Sequence, residues 1–426
     1  MPYPRMLRLR QKFDCPRLPD VAAAVDEQLT RLQLQTQVQP GQTVAITAGS
    51  RGIANVDVIT KAIVEHCKRL QATPFIVPAM GSHGGGTAAG QREILAGYGI
   101  TESHMGCEIR AAMETVIIDQ TPFGVPVHFD RHAYSADHVI VAGRVKPHTG
   151  FVGEIESGLH KMLLIGLGKH EGAKIYHRAI IDYSWMEILS SVSTSVLQKG
   201  KILCGLAVVE NAYDETGLIE AVRPADFLHR ERELLLQSRQ WMPRLPFRKI
   251  DLLLIDELGK DISGSGMDTN VVGRKYNNHK ATELDDVAVK TIYIRGLTEA
   301  THGNSCGLGM AEFTNQRTID SVDRRITAIN AITGGHCTAG ALPIAFETDR
   351  EVLDNALPTI GLTPPERARM VQISNTLHLE EVLVSEVFLP EIAERPDLEV
   401  LGEPRDLEFD AAGNLPAVAD RSHCLT

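Results

Sequence analysis

Three times before residue 150 the chain runs from a short apolar stretch straight into a polar or glycine-rich loop: QTVAITAGSRG, TPFIVPAMGSHGGGT and DHVIVAGRVKPHTG. Each stretch is brief, unbroken and rich in β-branched residues, the pattern of a strand buried on both faces. After the first, Val56, Ile59, Ile63, Val64, Cys67 and Leu70 recur at helical spacing. A strand, a loop and an amphipathic helix in succession bring the next strand back parallel to the first, through a right-handed crossover. Ligands of such sheets gather beyond the carboxyl ends of the strands. Arg51, His83 and His148 each stand just past one of those ends, so they can converge on one edge.

At 426 residues the chain is too long for one ordinary core. An opening strand and a helix near residues 19–33 precede the repeated units. ILCGLAVVEN supplies another strand, a charged helix spans about 224–240, and WMPRLPFRK, with its two prolines, reads as a linker. DLLLIDELGK then opens a second domain, in which VKTIYIRGL is a strand and RTIDSVDRRITAINAI a helix. The expected class is α/β: two α/β domains with an interdomain cleft. Residues 1–246 form the N-terminal domain, built on a largely parallel sheet, and residues 247–426 form a C-terminal domain that closes the cleft.

Composition narrows the function. Hydrophobic residues make up 43% of the chain and charged residues 23%, as in globular proteins. A net charge of −11 argues against a nucleic-acid surface. No run of 18 apolar residues offers a membrane span, and MPYPRMLRLRQKF lacks the apolar core of a secretory signal. The seven cysteines are scattered without CxxC pairing, which fits a reducing cytoplasm. The expected partner is therefore a small molecule.

The densest chemistry lies in GRVKPHTGFVGEIESGLHKMLLIGLGKHEGAKIYH, residues 143–177, which holds four of the 16 histidines (His148, His160, His170 and His177) and also Lys161, Lys169 and Lys174. A histidine following KP at a strand end can reach into a cleft. Lys161 sits in a mostly apolar segment, where desolvation favours the neutral, nucleophilic amine, although the same residue could snorkel its head into water. His177 follows it by 16 residues, so only a bend in the chain can bring the two together. In GSHGGGT the glycines let the backbone approach a ligand, and His83 could act as a base. Arg51 can hold a carboxylate through its planar fork of donors. The GxxxxGK[ST] phosphate loop, a GxGxxG after the first strand and HExxH are all missing from the sequence, which counts against a P-loop enzyme, a nicotinamide dehydrogenase and a zincin.

As an ordered set, Arg51, His83, His148, Lys161 and His177 resemble the lactate racemase family, nickel-pincer-nucleotide enzymes that include other 2-hydroxyacid racemases and epimerases. The likeness covers most of the chain and is strongest over about residues 44–180. It implies that Arg51 binds the substrate carboxylate and that GSH, through His83, and KPH, through His148, supply two catalytic bases. It further implies that Lys161 tethers the nickel-pincer nucleotide and that His177 ligates nickel, with Lys169 and Lys174 as other tether positions. Lys260 in ELGKDISGSGMD is a cofactor contact on this reading, and the loops around His302 and His336 could also close over the cofactor. The chain departs from the family at Ala48, where lactate racemases are acidic, and its His148 to Lys161 gap of 13 exceeds the usual ten or so. The activity implied is racemisation or epimerisation of a 2-hydroxyacid by hydride transfer to the tethered cofactor. Two other readings use the same residues: a zinc lyase or hydrolase built on His83, His148 and His177, and a protein that binds an anionic metabolite without turnover.

Overall fold

The computed structural model describes residues 2–50 and 52–418. By its internal packing the chain divides into one unit of residues 15–242 and another that joins residues 1–14 to residues 243–426. The first strand, β1 (Met6–Gln11), was expected to open the N-terminal domain. It belongs to the second unit instead, for reasons of pairing given below.

In the first unit the strands are β2 (Thr43–Ala48), β3 (Thr73–Pro78), β4 (Glu108–Ile109), a hairpin of β5 (Thr115–Gln120) and β6 (Pro126–Asp130), then β7 (His138–Arg144), β8 (Ile202–Glu210) and β9 (Thr216–Val222). Six of them form one sheet in the order β4-β3-β2-β7-β8-β9. Every neighbouring pair is parallel except β8 with β9, so the expected largely parallel sheet is present. The hairpin is a separate two-stranded sheet that the sequence pattern did not disclose.

Alternation explains the apolar runs. Ala45, Phe75, Val77, Val139, Val141, Ala207 and Val209 face one layer, whose core includes Leu159, Leu163, Leu164, Tyr176, Ile188 and Val192. Val44, Ile46, Ile76, Ile140, Leu206 and Val208 face the other, against Val25, Leu29, Ile59, Ile63, Val64 and Leu95. With both faces covered by helices, each strand must be apolar at consecutive positions. The covering helices are Val21–Arg31, Val56–Arg69 and Ala88–Gly97 on one side, and the 158–199 region with Phe227–Trp241 on the other.

The second unit carries β10 (Lys249–Ile255), β11 (Ala288–Ile294), β12 (Phe313–Asn315), β13 (Ile344–Phe346), β14 (Met370–Ile373), β15 (Glu381–Ser385) and β16 (Leu398–Val400). With β1 they form an eight-stranded mixed sheet in the order β13-β12-β11-β10-β14-β15-β1-β16. β1 lies antiparallel between β15 and β16, which is why the first residues depart from the expected 1–246 domain. The helix expected over RTIDSVDRRITAINAI is broken in two, Gln316–Asp320 and Arg324–Thr333, because Asp323 caps the second helix by accepting from the Arg325 and Ile326 amides. Among the described residues no helix is long and apolar enough to cross a membrane.

Candidate active site

Three loops leave the carboxyl ends of β3, β2 and β7, which are neighbours in that order. The loop after β3 carries His83 on an exposed turn, its amide donating to the Met80 carbonyl at 3.2 Å. Gly84 follows at φ 66°, and a Cβ there would lie 2.6 Å from the backbone of Gly90 and Gln91, so the turn closes only around glycine. Ser50, in the loop after β2, bonds its Oγ to Nδ1 of His83, and its own carbonyl accepts from the Tyr98 hydroxyl at 2.8 Å. Arg51, the residue expected to hold the substrate carboxylate, lies outside the described residues.

The loop after β7 is fixed by a buried carboxylate. Glu156 accepts from the His148 amide at 2.8 Å and from Arg239 at 2.9 Å. Nδ1 of His148 in turn accepts from the amides of Gly150 and Phe151, at 3.0 and 2.9 Å. An atom that receives two N–H groups carries no hydrogen of its own, so the ring proton of neutral His148 sits on Nε2. The ring stacks on Phe151 with centroids 4.2 Å apart, and Phe151 stacks on Trp185 at 4.0 Å. Two parallel rings that close must occupy opposite faces of Phe151, which is thereby held rigid.

Phe151 is the hub of the site. Nζ of Lys161 stands 5.5 Å from its ring centre, over the face, and the His177 ring lies 6.0 Å from it. Lys161 ends a short helical turn, Gly158–Lys161, and His177 lies within Leu167–Asp182. Between them runs a wide π-type turn, Met162–Gly166, and then a bend at Lys169, whose φ of 57° and ψ of −159° are not helical. The bend that a 16-residue separation demands is thus found at Lys169. Close approach allows the turn to lie over the strand ends: Met162 packs on Gly49, Gly143 and Gly166, and a Cβ on Gly143 would meet Met162 Cγ at 2.8 Å. Ile165 and Ala173 pack against Gly81, and the His170 ring against Gly86, so the His83 loop rests on the same segment.

Electrostatics differ along this segment. Burial, and then the charge of Lys161, hold the His177 imidazole below its usual pKa. It is therefore neutral near pH 7, as a metal ligand must be. His160 is structural: its Nδ1 bonds Glu231, which also accepts the amides of Leu159 and His160 and so caps the turn. Lys169 is fully buried and engaged, and Lys174 pairs with Glu171 on the surface at 3.2 Å, so neither faces Phe151 as Lys161 does. In the second unit Nζ of Lys260 donates to the Gly264 carbonyl at 2.7 Å, and His336 bonds Asn278. His302 adopts a left-handed conformation at φ 50°.

Among the described residues no three His, Cys, Asp or Glu side chains are gathered to hold a metal ion. Two imidazoles, His148 and His177, and one lysine, Lys161, gather at Phe151, and the neutral His177 beside Lys161 suits a metal whose remaining donors come from an organic group attached beside it. Ser50, Glu156, Phe151 and Trp185 were not anticipated, because their roles arise from contacts between distant segments. Trp185, one of two tryptophans, offered the only compositional hint.

A three-layer α/β unit with imidazole-bearing loops at the carboxyl ends of parallel strands is the architecture of a small-molecule site. Residues 7–187 match the family model described as the lactate racemase N-terminal domain. Among solved structures, the chain is similar to a Thermotoga maritima protein from a structural genomics consortium, at 10% identity and a TM-score of 0.52, over 84% of this chain and 97% of that one. It is also similar to the lactate racemase apoprotein from Thermoanaerobacterium thermosaccharolyticum, at 15% identity and a TM-score of 0.48, over 67% and 69% of the two chains. No curated protein matches the chain.

Proposed function

We propose that the chain is an isomerase that inverts the α-carbon of a 2-hydroxyacid, with a nickel-pincer nucleotide tethered to Lys161 and its metal bound by His177. The observation that carries this reading is the gathering of His148, Lys161 and His177 about the single ring of Phe151. Removing the α-hydrogen as a proton would leave a carbanion beside a carboxylate. When bound, the nucleotide supplies a hydride acceptor, which no side chain can.

The chain's own residues do the rest. Arg51 pins the carboxylate by its two-pronged donor geometry. His83 takes the hydroxyl proton as the α-hydrogen departs, and its hydrogen bond with Ser50 fixes the plane of its ring. His148 meets the oxygen from the other side with its Nε2–H. Because Nε2 already carries the ring hydrogen, His148 can accept a proton there only as the Nδ1–H tautomer and can give one up only as imidazolium; both forms need a hydrogen on Nδ1 and therefore release of the Gly150 and Phe151 amides. The two histidines are therefore unequal partners. Lys260 remains a proposed cofactor contact.

The test loads the protein with the cofactor and follows a 2-hydroxyacid, lactate as first probe, in heavy water. The expected result is inversion with the α-hydrogen retained, a mass adduct on the peptide containing Lys161, and a loss of about 10²-fold or more in His83→Ala and in His148→Ala. Extensive deuterium at the α-carbon would overturn the hydride route. An adduct mapping elsewhere would overturn the tether.

A further inference from the structure

The reading above makes no use of the buried lysine at the bend. Lys169 has no exposed surface, and its backbone occupies a region that in practice belongs to glycine. Such a conformation persists only where the surroundings over-determine it, which points to a need for this side chain that glycine would not meet.

Its contacts state the need. Nζ donates to the carbonyl of Pro78, the last residue of β3, at 2.7 Å and to Oε1 of Gln91 at 2.9 Å. It also lies 3.5 Å from Oδ2 of Asp130, the last residue of β6. That oxygen has no hydrogen-bond partner, while Oδ1 of Asp130 accepts from the Ala133 amide at 2.9 Å. Gln91, itself fully buried, passes the connection on: its Nε2 donates to the carbonyls of Gly81 at 3.1 Å and His83 at 3.4 Å. One ammonium thus ties the end of β3, the end of β6, the His83 turn and the bend before His177.

We propose that Lys169 is a positioning residue, acting through Gln91, that sets the His83 turn and the His177 helix in register with each other. The proposal deepens the racemase reading and rests on it for its catalytic consequence. Its structural content stands without it. The carrier has to be a cation with several donors, because it must serve two carbonyl-type acceptors and one carboxylate at once. A lysine does this from a single atom.

The decisive variant is Gln91→Met, which breaks the link to the His83 turn and leaves Lys169 with Pro78 and Asp130. The paired variant Lys169→Met/Asp130→Asn removes the ion pair without leaving an unpaired charge. Backbone hydrogen exchange in the apoprotein is expected to accelerate at least about tenfold over residues 81–87 in both, with the 185–199 helix unchanged. In cofactor-loaded protein kcat is expected to fall by about 10²-fold, with KM and the Lys161 adduct retained. Unchanged exchange at residues 81–87 in folded Gln91→Met would overturn the positioning role. Loosened exchange with undiminished kcat would overturn its catalytic consequence. If the paired variant does not fold, Gln91→Met decides alone; if the wild type turns over no 2-hydroxyacid, the exchange measurement still decides the positioning role while the racemase reading falls.

Discussion

At the scale of single residues, the least expected feature is how differently the two histidines are prepared. His83 stands on an exposed glycine turn with a hydroxyl at Nδ1, whereas His148 has its Nδ1 lone pair taken by two amides of its own loop. From sequence the two look alike, since each simply follows a strand. The difference resides in main-chain geometry that residue types do not encode. It leads to a direct expectation: in the apoprotein near pH 7, nitrogen-15 spectra of the labelled imidazoles place the His148 proton on Nε2, with Nδ1 bare. A spectrum showing hydrogen on Nδ1 of His148 would remove the asymmetry between the two groups and the requirement for loop release. Likewise, the separation of Lys161 from His177 was readable and the need for a bend followed from it, yet nothing in the sequence marked Lys169, a non-glycine residue, as the place of bending.

Among the elements, legibility followed burial pattern. β2, β3, β7 and β8 were plain because a strand covered on both faces must be apolar throughout and must end where glycine or polar residues begin. The 158–182 region was opaque for the opposite reason. Its residues pack on several neighbours at once through glycines and a wide turn, so it shows no regular apolar stripe. The break between Gln316–Asp320 and Arg324–Thr333 was also missed, although Asp323 is a capping residue type at the right place. That cap is open to test. The second helix buries only Thr327 and Ala331, so little packing supports it, and the two amides held by Asp323 at 2.8 and 2.9 Å carry an unusual share of its stability. Asp323→Ala is expected to cost about 1 kcal/mol in denaturant unfolding with an unchanged slope, while Asp323→Asn, which keeps the acceptor, costs less than half of that. Equal losses in both variants would show that charge, not the cap, supports the helix.

At the scale of the whole molecule, the chain's order and its packing disagree at one point. Its first strand crosses over to complete the sheet made by its last, and a reading that divides the sequence at the 241–249 linker assigns residues 1–14 to the wrong unit. Pairing partners distant in sequence leave no local mark, so the error is intrinsic to reading along the chain. The consequence is measurable. β1 is paired on both edges, with β15 through Met6–Arg10 and with β16 through Leu9–Gln11, and it buries Met6, Leu7 and Leu9. Arg8 and Arg10 add ion pairs to Glu381, each at 2.6 Å. Deleting residues 1–14 would leave β15 and β16 with open edges and uncover apolar surface, while removing nothing from the parallel sheet of residues 15–242. Limited proteolysis of the truncated protein is therefore expected to cut first within residues 243–418 and to leave a resistant fragment close to residues 15–242. Were the first cuts instead to fall within residues 15–242, the amino-terminal strand would be supporting that unit, and the assignment of β1 to the second sheet would have to be given up.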